Sequence, residues 1–342
     1  MKKAAFSILL VAVLLIISHG CARTPSAAPL PDIPPPVTSS SSPLPSAIPT
    51  AATATAAQET PAVAVTPSPT TAPPTPAPPT PTLGADDWKT MPVIPQTISA
   101  RTIEIFQQGL AMGNNPNAFS KVGDSNSTLP GYLGEFDRPR ACRLGEYAYL
   151  QGVIDHFSGS WGRRSLGVKV GMSTNGILSP LWADWRECKA SETPLSCELR
   201  IHKPSFILIA LGTNDAYYVH EEPVEERLRK VIELCIANGT VPILTTKVDN
   251  LEGDHLVNQI ITRLALEYDI PLHNLWAAMR ELPDNGLVTA FHYTAGEISP
   301  CEFSNPDNLR YGWTIRNLTS AQVLDAVWRG VNARPAVLPK TE

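Results

Sequence analysis

The stretch Phe206-Ile207-Leu208-Ile209-Ala210-Leu211-Gly212-Thr213-Asn214-Asp215 decides the fold. Six apolar residues in a row, without the alternation of a half-exposed strand, are what a strand buried on both faces of a parallel sheet requires. Gly212 then lets the backbone turn closely into Thr213 and Asn214. A run of the same kind, Val241-Pro242-Ile243-Leu244-Thr245, comes later. Between the two, Pro223 opens a helix to about residue 238 whose Val224, Leu228, Val231, Ile232, Leu234 and Cys235 face inward, and Gly239 ends it. The unit is strand, helix, parallel strand, with the helix crossing one face of the sheet.

The same alternation extends outward. Residues 166–170 and 118–122 are short apolar runs and are predicted as two further strands. Residues 97–112 place Ile98, Ile103, Ile105, Phe106 and Leu110 at helical spacing and stop in Gly113, Asn114, Asn115 and Pro116. On the other side, a helix is predicted over 256–268, a fifth strand over 271–276, a long loop region to 317, and a closing helix over 320–331. Thr319 and Gln322 read as the capping box of that last helix. The expectation is an α/β domain with a mainly parallel sheet, helices on both faces, and a ligand site beyond the carboxyl ends of the strands.

Most of what precedes this domain cannot fold in the same way. About half of the chain's 34 prolines fall in residues 22–84, which carry Arg23, Asp32 and Glu59 as their only charges and have no aromatic residue. Such a tract cannot bury a core, and it reads as an extended Pro/Thr/Ala/Ser-rich stalk. Residues 1–21 begin with Lys2 and Lys3 and continue into the apolar run 4–17, the length of a signal-peptide core rather than of a membrane span. Cys21, after the small residue Gly20, resembles the lipidation site of bacterial lipoproteins, although Ser18 stands where a leucine is usual. A diacylated cysteine would anchor the protein to the cell membrane with the folded part, residues 85–342, on the extracellular face. The net charge of −5 and the pI near 5.8 argue against a nucleic-acid partner.

Three stretches at the predicted carboxyl ends carry chemistry. Gly123-Asp124-Ser125 follows the first strand and can project a hydroxyl, with its own N–H facing a developing oxyanion. Gly212-Thr213-Asn214-Asp215 offers a fixed amide donor. His292 lies in the loop before the closing helix. In this order the residues resemble the SGNH, or GDSL, family of serine hydrolases, a likeness that spans residues 97–331. The resemblance implies a three-layer α/β/α sandwich of flavodoxin-like type, no cofactor, and an ester substrate. It maps the nucleophile onto Ser125, an oxyanion amide onto Asn214, a second-block glycine onto Gly171 or Gly176 with Gly171 preferred, and the base onto His292.

The sequence departs from that family at one position. The family's histidine stands in an Asp-x-x-His motif, and here the residue three before His292 is Thr289. A buried carboxylate normally fixes the histidine tautomer and stabilises the imidazolium, and loss of its charge costs roughly 10⁴ in rate. Asp284 or Glu297 could substitute, a backbone carbonyl could serve, or the protein could be a glycan-binding surface protein without turnover. A rival alignment places Asn317 at the histidine position, which would leave the site dead. His255 is a further candidate base, although Asp254 before it reads as a helix cap. Asp124 and Asp215 read as loop braces. Trp182, Trp185, Tyr217 and Tyr218 flank the expected crevice. No histidine and cysteine spacing argues for a metal. Cys188 and Cys197 enclose a short polar loop and form the best disulfide pair, Cys142 and Cys301 are candidates for a second bridge, and Cys235 reads as a buried thiol.

Overall fold

Among the described residues four strands, all parallel, form one sheet in the order β1-β2-β3-β4: β1 (Asn115–Gly123), β2 (Pro204–Ala210), β3 (Val241–Thr245) and β4 (Leu272–His273). The computed structural model describes residues 84–138, 140–218 and 222–333. The signal-type segment 1–21 with Cys21, and residues 22–83 of the stalk, lie outside the described residues. Among the described residues no helix is long and apolar enough to cross a membrane.

The helices are α1 (Ala100–Ala111), α2 (Gln151–His156), α3 (Thr174–Ile177), α4 (Pro194–His202), α5 (Thr213–Tyr218), α6 (Glu222–Ala237), α7 (Leu256–Glu267), α8 (Leu275–Met279) and α9 (Gly312–Asn332). Each strand steps to the next in the same direction across the sheet, and the crossover helices α4, α6 and α7 pack side by side. Helices α1 and α9 pack together. The α/β architecture expected from the sequence is therefore present.

Burial explains why the strands read so plainly. Phe206, Ile207, Leu208 and Ile209 of β2 are all at most 2% exposed, with Phe119 and Val122 of β1 beside them. Each such side chain withdrawn from water contributes about 1.5–3 kcal/mol. The registers Gly123↔Ala210 and Ile209↔Leu244 bring the carboxyl ends of β1, β2 and β3 level, which sets the loops after them side by side.

Three expectations are corrected. Residues 166–170 are not a strand: they touch β1 through one parallel bridge, Gly123↔Val168, at the last residue of β1, where no ladder can continue, and Val170 is 69% exposed. The fifth strand shrinks to Leu272–His273, because Asn274 caps α8, its side chain accepting from the Ala277 N–H. The closing helix begins at Gly312, so Thr319 lies inside it and is no cap; its hydroxyl donates to the Ile315 carbonyl. Thr314, Arg316 and Asn317, which read as loop, are buried in that helix together with Thr319, and Arg316 and Asn317 bond to the segments it covers.

Both cysteine pairings are present as disulfides, Cys188–Cys197 and Cys142–Cys301, and Cys235 is a buried thiol whose ionisation burial suppresses. The second bridge ties the segment after the β1 loop to the segment between His292 and α9, next to the parallel bridge Arg143↔Glu302.

Candidate active site

Asp124 follows the last residue of β1, and its carboxylate turns the chain by accepting the Asn126 N–H at 2.9 Å, which starts a single 3-10 turn at Ser125–Ser127. That turn puts the Ser125 hydroxyl 3.3 Å from His292 Nε2. His292 sits on a short hairpin closed by the Leu287↔Tyr293 bridge and by Val288 N–H on the His292 carbonyl at 2.8 Å. Asn126 fastens the two loops to each other, since its amide donates to the Phe291 carbonyl at 2.8 Å. Sequence reasoning missed Asn126; its only signal was an amide directly after the serine.

On the far side of the ring, His292 Nδ1 meets Thr289 Oγ1 at 3.2 Å. A ring whose Nε2 accepts from a serine hydroxyl carries its proton on Nδ1, so the threonine oxygen is the acceptor there. The tautomer required of a general base is thus set without a carboxylate. Asp284 and Glu297 are exposed and neither bonds to the ring; Asp284 instead lines a surface cavity with Arg310 and Tyr311.

The loop after β2 supplies the amide. Gly212 has φ +122°, and a Cβ there would meet Val257 Cγ1 at 2.6 Å, so only glycine lets β2 turn directly into α5. Asn214, in the first turn of α5, donates from Nδ2 to the Met172 carbonyl at 3.0 Å and to Asp124 Oδ2 at 3.3 Å. Both amide hydrogens have acceptors, and the longer bond is the one an oxyanion would replace. Asp215 braces the neighbouring loop: its buried carboxylate accepts the Thr174 N–H and hydroxyl. Burial pushes its pKa up, and the Thr174 bonds oppose that.

The loop that carries Met172 also separates the two glycine candidates. Gly176 lies in α3 and its N–H is committed to the Ser173 cap at 3.1 Å. Gly171 stands outside the helix at φ +78°, one residue from the carbonyl that holds Asn214. Trp182 lies half-buried against it, its ring edge 3.7 Å from where a Gly171 Cβ would be, with the Lys169 ammonium 5.3 Å from the ring centre. Trp185 is 81% exposed. The side chains of Tyr217 and Tyr218 lie outside the described residues.

Beneath the serine, Asp124 is 3% exposed, and burial pushes its pKa up. The Asn126 N–H and the charges of Arg316 and His292 oppose that, while Asp249 reinforces it. Arg316, 1% exposed, donates to Ser127 Oγ at 3.0 Å and lies 3.9 Å from the centre of the Tyr132 ring. It too went unread in the sequence, because its helix read as loop.

The remaining candidates lie elsewhere. Asn317 is buried and braces the chain at 131–133, accepting the Leu133 N–H and donating to the Gly131 carbonyl. His255 precedes α7 at φ +58° and packs between Trp88 and Trp276; burial pushes its pKa down. His156 and His273 bond to the Pro116 carbonyl and to Thr319, His202 Nε2 lies 3.7 Å from Glu198, and His220 lies outside the described residues.

No protein-family model matches the chain, and no curated protein does. Among solved structures, the chain is similar to a catalytic mutant of an acetylxylan esterase from Geobacillus stearothermophilus, with 15% identity and a TM-score of 0.40 over 62% of this chain and 95% of that one. It is also similar to a second catalytic mutant of that enzyme, with 17% identity and a TM-score of 0.39 over 62% and 95% of the two chains. A third variant matches at 16% identity and a TM-score of 0.38 over 60% and 94%.

Proposed function

We propose that residues 85–342 are an ester hydrolase of the SGNH type that works through an acyl-enzyme on Ser125. The observation that carries this reading is the 3.3 Å approach of Ser125 Oγ to His292 Nε2, with Thr289 Oγ1 behind the ring at Nδ1. As Ser125 Oγ bonds to the acyl carbon, its proton passes to His292 Nε2 and the carbonyl electron pair moves onto oxygen. The Ser125 N–H, the Gly171 N–H and the Asn214 amide receive that oxyanion, Asn214 by exchanging its 3.3 Å bond to Asp124. The alcohol leaves with the proton from His292, and water repeats the sequence on the acyl-enzyme. The reaction so written needs no cofactor.

The setting is part of the proposal. An export signal, Cys21 as a lipidated mature N-terminus and a stalk over residues 22–84 hold the enzyme on the extracellular face of the cell membrane, where O-acyl groups of glycans are the substrate class within reach. Mass spectrometry of the membrane fraction tests the anchor: a mature chain that starts elsewhere, without an acyl mass, removes it. A fluorophosphonate probe tests the chemistry. Labelling that disappears in Ser125→Ala, together with slow hydrolysis of p-nitrophenyl acetate, is the expected result. No labelling of the wild type favours the second reading, a glycan-binding protein on the same scaffold, which the neutral Thr289 and the occupied Asn214 amide support.

A further inference from the structure

Thr289 orients His292 but brings no charge, and among the described residues no carboxylate is hydrogen-bonded to the ring. Of the buried carboxylates near the site, Asp124 is the one next to the serine. It precedes Ser125 in the chain, and the turn that it caps is fastened to the His292 hairpin through Asn126. Below it lies a cavity of about 20 Å³, enough for one water, lined among others by Asp124, Asn126, Thr245, Tyr293 and Arg316. Four buried polar atoms on these lining residues have no hydrogen-bond partner among the described residues: Asn126 Oδ1, Thr245 Oγ1, and Arg316 Nε and Nη1. Arg316 is satisfied only by the neutral Ser127 hydroxyl and by the faces of Tyr132, Tyr293 and Trp313, so no bonded anion neutralises its charge.

We propose that Asp124 is a positioning residue that supplies through space the negative charge the His292 imidazolium needs, and that Arg316 holds it ionised through one water in the cavity they share. The inference rests on the hydrolase reading. Where a triad asks one carboxylate both to orient the histidine and to offset its charge, this site divides the tasks between Thr289 and Asp124.

The geometry suits an ionised group. Asp124 Oδ1 accepts the Asn126 N–H and Oδ2 accepts the Asn214 amide, so both oxygens face donors. The water accepts from Arg316 and donates to Asn126 Oδ1 and the carboxylate. The other charged groups of this floor come from the loop after β3, where Lys247 is already paired with Asp249 at 2.7 Å and Glu252 at 2.5 Å. Burial and the neighbouring Asp249 act against the charge of Asp124, and the Asn126 N–H, Arg316 and His292 act for it. The coupling is reciprocal: a positive His292 that favours ionised Asp124 is favoured by it to the same extent. During attack the Ser125 proton goes to Nε2, the Nδ1 proton stays on the ring facing Thr289, and Asp124 gains none.

A double-mutant cycle on esterase kcat tests the division. If Asp124 supplies the charge, Thr289→Asp adds little in the wild-type background, about tenfold, against the roughly 10⁴ that a missing charge is worth. In Asp124→Asn the same substitution restores about a hundredfold or more, because the new carboxylate replaces the one removed. A brace without an electrostatic role gives the same gain in both backgrounds, which overturns the inference. A wild-type gain above about 10³ also overturns it, and that arm decides alone if circular dichroism shows Asp124→Asn unfolded. Absence of Ser125-dependent turnover in the wild type is a different failure: it removes the hydrolase reading itself.

Discussion

His292 Nδ1 and the backbone N–H of His292 meet the same atom, Thr289 Oγ1, at 3.2 Å and 2.9 Å. One hydroxyl therefore fixes both the turn that carries the ring and the ring's tilt.

Removing that hydroxyl separates orientation from charge. Thr289→Val should lower kcat by about tenfold with KM nearly constant, since the ring loses its guide but the substrate loses no contact. Asp284→Asn and Glu297→Gln should leave kcat unchanged, because neither carboxylate bonds to His292. Steady-state kinetics with p-nitrophenyl acetate checks both, and a collapse in either acid variant would return that acid to the mechanism.

The oxyanion assignment has its own signature. Asn214→Ala should reduce kcat by about 10²–10³, the usual cost of one such donor. Gly176→Ala should lower kcat less than Gly171→Ala, because its N–H serves the Ser173 cap and the added Cβ, 3.1 Å from Met172 Sδ and Trp182, asks only a small shift of those side chains. Gly171→Ala forces a Cβ onto φ +78° and should lower kcat sharply. Equal kcat losses at the two glycines would remove the preference for Gly171, and a larger loss at Gly176 would reverse it.

Acid should unfold the domain through His273. The ring is fully buried against Thr319, and burial, helped by Arg316, pushes its pKa from 6.5 down to about 3. The unfolded chain takes up a proton below pH 6.5 that the folded chain refuses until about pH 3, so the stability this ring controls falls as pH falls through that window and is constant above it. Urea melts from pH 7 to 4 should show the slope, and His273→Gln should flatten it. A slope unchanged in His273→Gln would assign it to the carboxylates.

The two disulfides should differ in worth. Cys142–Cys301 spans 159 residues and Cys188–Cys197 spans 9, and loop-closure entropy grows with the span. Cys142→Ala with Cys301→Ala should cost about 2–5 kcal/mol, more than removal of the short bridge. Chemical denaturation of the two double variants compares them; a larger loss from the short bridge would contradict the entropic account.

Legibility in the sequence followed burial. The runs 206–211 and 241–245 and the helix between them could be read because fully buried parallel strands leave an unmixed apolar signal. Residues 312–319 could not, because Thr314, Arg316, Asn317 and Thr319 are polar yet buried, and the partners of Arg316, Asn317 and Thr319 lie across the fold. The strand predicted over 166–170 failed for the opposite reason: its valines satisfy the pattern, but the sheet reaches it at a single residue. At the site, Ser125 and Asn214 were legible as residue types after strands and His292 as a loop histidine before the closing helix, and the structure brings Ser125 and His292 together. The clamp by Asn126 and the cation beneath Asp124 were not, since a pairing between remote loops leaves no local pattern.

The bridge between Cys142 and Cys301 makes a covalent ring that contains β2, β3, β4 and His292, while Ser125 lies outside it on the leading segment. A protease that cuts once anywhere between those cysteines therefore cannot release a fragment. The nicked chain migrates whole on a non-reducing gel and separates into two pieces only after thiol treatment.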